Sequence, residues 1–579
     1  MSGIVAVAEA WLAQDPDTET RAELTRLIAR ARVEPADDDV ADALSTLHER
    51  FDDRLKFGTA GLRGEIAAGS NRMNRVLVAQ AAAGIAAYLL EKAAPGVVPS
   101  VVIGYDGRKN SQVFAADSAE LLAGAGLRAI LLPRLLPTPV VAFAVRHLDA
   151  SAGIMVTASH NPPNDNGYKV YLGGIDEGSQ IVAPADEEIE THIRRVAAES
   201  LVPELPRSAA YTVAAESVID AYVTATAAAG LLPPSEIGAQ PRTVYTAMHG
   251  VGWQTFSRVL GAAGFIEPDL VLAQIEPDAR FPTVAFPNPE EPGALDLAYE
   301  TAQSSGAHLI IANDPDADRL AIAVPDKSTD SGYRRLTGNE VGALLGWRAA
   351  EKHAAASAAA TETVGSAATE PATLACSVVS SPALSAVAAA YGLRFQETLT
   401  GFKWVSRVPG LIFGFEEALG YLVNPESVRD KDGISAAVAL LSLASELAVD
   451  GFTLSDQLDR FSERFGHYDS AQVSLRVTDL SRIGEIMAAL RADPPQSIGG
   501  VAVASIDDLS AGSAELPPSD ILRITTTDGS RIMVRPSGTE PKLKVYIDVS
   551  SSEGSLAKRK ASVAKRLSAL ERGMRELVA

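Results

Sequence analysis

The chain has one cysteine, Cys376, in 579 residues. A single thiol can form neither an intrachain disulfide nor a cysteine-built zinc site, and a reducing cytoplasm is the expected compartment. Basic charge is also scarce: 51 Lys and Arg against 73 Asp and Glu leave a formal net charge of −22. Nucleic acid and anionic membrane surfaces demand a basic field, so neither is an expected partner. An anionic ligand would have to meet cations that are local and few. Long apolar runs are missing too, the longest being near "AAAGIAAYLL" at 81–90, about half of the ~20 residues that cross a bilayer. The opening "MSGIVAVAEAWLAQDPDTE" has an apolar patch interrupted by Glu9 and no basic start, which argues against a signal peptide. No Walker A pattern occurs. "GAGLRA" at 124–129 passes a loose dinucleotide pattern. It closes a helix and leads into a strand, the reverse of what pyrophosphate needs, so glycine at a helix C-terminus is the better reading.

What is present describes a large globular chain, with 47% hydrophobic and 21% charged residues. At ~150 residues per domain it should hold three to five domains. Three segments, 100–133, 242–271 and 372–399, share a plan of apolar strand, turn, helix, glycine and second strand. Each is followed by a strand-loop-strand: "AGIMVTASHNPP", "AHLIIANDPDADRLAIAV" and "LIFGFEEALGYLV". The Ala-rich stretch 349–372 reads as a helix end running into a flexible insertion. After about residue 464 the pattern changes to that of a separate α+β domain.

Four loops carry candidate chemistry. In "TASHNPPNDNGYK" (157–169), Pro162 and Pro163 remove backbone donors and Gly167 permits positive φ, so Ser159 and His160 head a stiff loop between strands. A Ser-His hydrolase is the less attractive reading, because neighbours in an extended loop rarely point at each other and no G-x-S-x-G elbow is present. "NDPDADRL" (313–320) spaces Asp314, Asp316 and Asp318 by two. In an extended segment this puts three carboxylates on one side as oxygen ligands for Mg²⁺, with a solvated Asp-rich turn as the alternative. "RPSGTEPKLKVY" (535–546) joins Arg535 to Ser537, Gly538 and Thr539, either a phosphate clamp or a hairpin turn that happens to hold an Arg. "GFEEALGY" (414–421) with "RDKDG" (429–433) offers Glu416, Glu417 and Lys431, for sugar hydroxyls and proton transfer or as solvated surface. "KFGTAGLRGE" (56–65) places Arg63 in a Gly-rich stretch that is a plain turn or an anion contact, and His249 in "TAMHGVG" is as easily structural as ligand-facing.

Taken together, "GTAGLRG", "TASHNPPNDNGYK", "NDPDADRL", "GFEEALG" with "RDKDG", and "RPSGTEPKLKVY" resemble the α-D-phosphohexomutase family, in the family's order over nearly the whole chain. The resemblance implies an α/β protein: three topologically similar α/β domains (1–206, 207–325, 326–463) and a smaller C-terminal α+β domain (464–579) around a central cleft. It implies that Ser159 carries the transferred phosphoryl group and that Asp314, Asp316 and Asp318 hold Mg²⁺, which also contacts that phosphate. Arg319 would face the same phosphate. Arg63, His160 and Lys169 would line the transfer site, with Lys169 and Lys431 as proton carriers. Thr400 and Glu416, in the loop that includes Ala418, would meet the sugar, and Arg535, Ser537, Gly538 and Thr539 the phosphate that is not reacting.

The activity implied is interconversion of hexose 1-phosphate and hexose 6-phosphate through a phosphoserine and a hexose 1,6-bisphosphate, which also serves as activator. Glucose leads and mannose follows. Ala418 stands where one phosphoglucomutase branch often has Ser, which leaves a pentose phosphomutase as the alternative. A phosphatase would need an Asp nucleophile opening a different fold, and a silent sugar-phosphate binder would have little reason to keep Ser159 with all three Asp.

Overall fold

The structure is a computed structural model that describes residues 3–33, 38–58, 61–233, 238–363, 371–477, 479, 481–537 and 542–579. It divides into two compact units, Met1–Arg334 with Asn424–Val438, and Arg335–Val423 with Ala439–Ala579.

The first unit holds two sheets. In the first, buried strands Ser100–Tyr105, Ala152–Val156 and Arg128–Leu131 run parallel, and Asp165–Leu172 returns antiparallel beside Ala152–Val156. Leu62–Glu65 adds to that antiparallel edge, and Thr212–Val213 extends the other edge beyond the expected boundary at 206. Helix Arg75–Lys92 shows why "AAAGIAAYLL" is apolar all round. Leu77, Val78, Ala81 and Ile85 join the core of the first sheet, while Val76, Ala79 and Ala82 pack with the N-terminal helices, including Ile4, Val5 and Trp11. Gly126 (φ 91°) closes helix Ser111–Gly124 in the left-handed region, as expected of a glycine there.

The second sheet repeats the pattern. Thr243–Thr246 lies between parallel neighbours Asp269–Leu270 and Leu309–Asn313, and Leu320–Pro325 returns antiparallel. Its edge strand Tyr333–Arg335 runs past the expected boundary at 325.

In the second unit the pattern occurs a third time. Thr373–Ser377 lies between Arg394–Thr398 and Leu411–Glu416, both parallel to it, and Gly420–Leu422 is antiparallel. All three domains therefore have the order second-first-third-fourth strand, with a hairpin between the third and fourth. The Ala-rich stretch carries the end of helix Gly338–Thr363, as a run of the strongest helix former should, and the insertion expected after it falls at 364–370, outside the described residues. A six-stranded antiparallel sheet with helices Ser481–Ala492 and Leu556–Val578 on one face forms the α+β domain. Its other face, through Met533 and Tyr546, meets Val378 and Val379. Among the described residues no single helix is long and apolar enough to cross a membrane.

The segment Asn424–Val438 was expected in the third domain but packs with the first unit. Asp432 explains part of this. It is buried, accepts the Tyr222 hydroxyl at 3.0 and 3.1 Å, and takes the backbone N–H groups of Ile434 and Ser435 at 3.0 Å each. Burial pushes its carboxyl up to about 6, against the lowering effect of Ser435, Tyr222 and Ile434. A carboxyl with a native pKa above its unfolded value loses stability for the fold as pH rises through that interval. Between pH 4 and pH 7, wild type should lose about 2 kcal/mol relative to Asp432→Asn, read by urea denaturation at both pH values. Parallel pH dependences of the two proteins would show that Asp432 stays ionised.

Candidate functional site

Ser159 lies in the hairpin loop after the buried strand Ala152–Val156. It is 2% exposed and left-handed, with φ 53°. For a non-glycine residue this costs about 1–2 kcal/mol, so the surroundings must enforce it. The Ser159 N–H donates to Thr157 Oγ1 at 2.8 Å and its carbonyl accepts from Arg108 Nη2 at 2.6 Å. Its hydroxyl donates to Asp314 Oδ2 at 2.6 Å and lies 3.1 Å from His160 Nδ1. Ser159 and His160 thus do touch, against the sequence expectation, because the left-handed turn brings adjacent side chains together.

The carboxylates come from the corresponding hairpin of the second sheet. The stretch is a turn, not the extended segment that the spacing suggested: Ala317 has φ 54° and its N–H returns to Asp314 O at 2.8 Å. Asn313 Nδ2 closes the loop base on Arg319 O at 2.6 Å, and the Arg319 N–H donates to Asp314 Oδ1 at 2.9 Å. One ligand atom from each of the buried Asp314, Asp316 and Asp318 lies within 4.8 Å of the others.

Cations converge on this cluster from elsewhere in the same unit. Lys169 Nζ, from the strand after the Ser159 loop, donates to Asp316 Oδ2 at 2.8 Å and Asp318 Oδ2 at 2.7 Å. Lys431 Nζ, from the returning segment, stands 3.1 Å from Asp318 Oδ2. Arg63 lies on Leu62–Glu65 opposite Gly167, bonds Asn161 Oδ1 at 3.0 Å and feels Asp316, Asp318 and Arg319, so it is an anion-facing cation and not a plain turn residue. Arg319 is 4.0 Å from both Asp318 and Glu290.

Titration follows this geometry. Burial, then Asp316 and Asp318, raise the Asp314 carboxyl well above its ordinary range. Burial pushes Asp318 the same way, but Lys169, Lys431 and Arg319 hold it well below. Burial opposes the Lys169 cation, yet Asp316 and Asp318 keep its pKa raised. Burial and then Arg319 and Arg63 hold His160 well below the usual imidazole range, so it is neutral.

The remaining predicted residues belong to the second unit. Glu416 ends the strand Leu411–Glu416 and accepts the Gly401 N–H at 2.6 Å, beside Thr400. Ala418 lies in the three-residue turn to Gly420–Leu422, next to left-handed Leu419. Glu417 turns to Ser377 and Ser380, whose hydroxyls donate to its Oε2 at 3.1 and 3.0 Å. Arg535 sits directly opposite Lys544 in the antiparallel ladder, and the Ser537 N–H donates to Lys542 O at 2.8 Å. Gly538 and Thr539 lie outside the described residues.

Two contributors escaped sequence reasoning. Thr138 begins a helix and gives Asp316 both its N–H (to O, 2.9 Å) and its hydroxyl (to Oδ2, 2.6 Å). "PTP" at 137–139 was the available signal, since Thr-Pro marks a helix start. The other is Arg108, buried just after a strand in "YDGRKN".

The residues fit a divalent cation. Asp316 Oδ1 and Asp318 Oδ1 are buried and have no hydrogen-bond partner among the described residues. With Asp314 and the Ser159 hydroxyl, the donor set is all oxygen, the kind hard cations take.

Comparison with known proteins gives a consistent result. Domain-family models described as phosphoglucomutase/phosphomannomutase domains I, II, III and the C-terminal domain match residues 54–200, 220–327, 337–465 and 473–566. A Haemophilus influenzae protein named probable phosphomannomutase is 53% identical over 478 residues, 82% of this chain and 93% of that protein. Human phosphopentomutase is 34% identical, over 94% of this chain and 91% of its own length. A solved structure of a phosphoglucomutase/phosphomannomutase family protein from Burkholderia thailandensis shares the fold, with a TM-score of 0.66 at 18% identity, covering 91% of this chain and 98% of that one.

Burial and the neighbouring carboxylates favour the protonated form of Asp314, so a proton and a cation compete for this carboxylate. Mg²⁺ affinity should therefore rise with pH, with net proton release on binding seen in calorimetry across buffers of different ionisation enthalpy. Asp314→Asn should weaken binding and flatten the pH dependence. An affinity independent of pH in wild type would contradict this account.

Proposed function

The chain belongs to the phosphoglucomutase/phosphomannomutase family and is an intramolecular phosphotransferase of that type, and from that premise we propose that Ser159 carries the transferred phosphoryl group between the 1- and 6-positions of a hexose. One observation carries this reading: the Ser159 hydroxyl lies 2.6 Å from Asp314, in a cluster of three buried carboxylates faced by lysine and arginine. Asp314, Asp316 and Asp318 would hold Mg²⁺, which when bound neutralises charge on phosphoryl oxygens.

The protein's own part is positioning and proton movement. The free hydroxyl of a hexose monophosphate attacks the phosphorus of phospho-Ser159. A new P–O bond to the sugar forms, the bond to Ser159 Oγ breaks, and a hexose 1,6-bisphosphate results. After the sugar turns end for end, Ser159 Oγ attacks the other phosphate and the isomeric monophosphate leaves. In each half the proton lost by the attacking hydroxyl matches the one gained by the departing oxygen, and Lys169 and Lys431 are the proposed carriers. Neutral His160 leaves the positive charge here to Lys169, Arg63 and Arg319. A trace of bisphosphate would serve as activator.

Glu416 and Thr400 are the proposed sugar contacts. Arg535, Ser537, Gly538 and Thr539 are the proposed grip on the distant phosphate. Arg535 and Lys544 stand opposite each other in the sheet ladder, which places two cationic residues side by side at the base of this loop, the charge a phosphate would meet. A hexose is favoured over a pentose because the relative of higher identity is named for a hexose phosphate. By family resemblance the Glu416 loop meets the C3 and C4 hydroxyls, which glucose and mannose present alike, and Ala418 adds no hydroxyl to tell sugars apart.

With a trace of bisphosphate, glucose 1-phosphate and mannose 1-phosphate should give kcat/KM within about two decades of each other, and the C4 epimer galactose 1-phosphate clearly less. Ribose 1-phosphate run on the same preparation decides the class: if it exceeds both hexoses, the substrate is a pentose.

Ser159→Ala should lower mutase turnover by at least about 10³-fold. Peptide mapping of active wild type should find phosphate on Ser159. An active Ser159→Ala enzyme with phosphate elsewhere would refute the nucleophile.

A further inference from the structure

The Ser159 loop curls so that four of its carbonyls point at one side chain. Arg108 Nη2 donates to Ser159 O and Asn161 O, both at 2.6 Å, and Nη1 to Pro162 O at 2.8 Å and Asp165 O at 3.0 Å. All four terminal N–H bonds of the guanidinium are thus used on one loop. The side chain is 1% exposed, lies 4.9 Å from the centre of the Phe281 ring and has Asp106 Oδ2 3.7 Å from its Nε. Asp106 Oδ1 in turn takes the Arg108 N–H at 3.0 Å and the Ser111 hydroxyl at 2.6 Å.

We propose that Arg108 is a positioning residue for phosphoryl transfer: its fork of donors holds Ser159 in the left-handed conformation that aims the hydroxyl at Asp314. The proposal rests on the reading of Ser159 as the nucleophile. Carbonyls taken from water need donors, and among the described residues no other side chain donates to these four, although Pro162 O also accepts the Asp165 N–H at 3.0 Å. Without the guanidinium, Ser159 is free to leave φ 53° for an ordinary backbone region, which turns Oγ away from Asp314. Asn161 extends the effect, because its Oδ1 anchors Arg63 at 3.0 Å while its carbonyl is held by Arg108. One buried arginine thereby sets both the nucleophile and an anion-facing cation. A lysine at 108 would keep the charge beside Asp106 but has a single nitrogen, which cannot span four carbonyls.

Hydrogen exchange and steady-state kinetics on full-length Arg108→Lys and Arg108→Ala test this together. In Arg108→Lys, exchange at amides 159–165 should rise at least about tenfold while strand Leu309–Asn313 is unchanged. Its kcat should fall by about 30-fold or more with KM within about threefold, the signature of misplacement and not of lost substrate contact. Guanidinium ion should restore part of kcat in Arg108→Ala where equal sodium chloride does not. If Arg108→Ala fails to fold, the lysine variant decides. A folded Arg108→Lys with wild-type loop exchange and kcat overturns the proposal, as does a rise in KM at unchanged kcat. If wild type lacks mutase turnover but loop exchange still responds to residue 108, the positioning of Ser159 stands and the mutase reading fails.

Discussion

Three carboxylates buried within 4.8 Å of one another repel too strongly to stand alone, and much of the first unit is arranged to answer that repulsion. The compensation arrives from separate segments. The first sheet sends Lys169, the helix after it in space sends Thr138, and the Ser159 hydroxyl caps Asp314. Lys431 comes from a segment more than a hundred residues later in the chain. Its carrier loop is held by further polar contacts: Tyr171 and Gln180 each donate to Asp430 Oδ2 at 2.8 Å. Breaking one partner of a buried ion pair costs about 3–5 kcal/mol, so fold stability and site geometry are bound together here. This explains why a stretch that lies between two elements of the second unit packs with the first.

The second unit meets a comparable crowding of carboxylates with arginine. Arg531, Glu397, Asp548 and the carbonyl of Ser380 form a closed network between the third α/β sheet and the antiparallel sheet, with the Arg531–Asp548 contact at 2.9 Å. Burial opposes the Arg531 charge, but Asp548 and Glu397 more than offset it. The carboxylates there are matched by forked cations, Arg531 on both and Arg523 on Glu397 at 3.1 Å.

Much of this was legible in the sequence because loops announce themselves. Pro162, Pro163 and the spaced aspartates mark turns, and the three strand-helix-strand segments emerged with one shared topology. The reasons were less legible than the residues. Period-two alternation suggested that the aspartates converge, whereas a left-handed Ala317 brings them together. Likewise, nothing in the letters S-H marks Ser159 as left-handed. Arg108 was invisible because it recognises carbonyls, which every residue has. The boundary at 206 was set by prolines, but two residues beyond it, Thr212 and Val213, still pair with the first sheet.

The repeated hairpin has a consequence for how such a protein can change. The same junction between third and fourth strands spans eight residues at 157–164, six at 314–319 and three at 417–419. In a short hairpin the turn length helps fix the register, so a change at one tip bears on its own ladder and leaves the ladders of the other two sheets untouched. The Glu417–Leu419 tip, tied through Glu417 to Ser377 and Ser380, thus answers to a different set of contacts from the Ser159 and aspartate tips. Three copies of one scaffold give three independent places to vary.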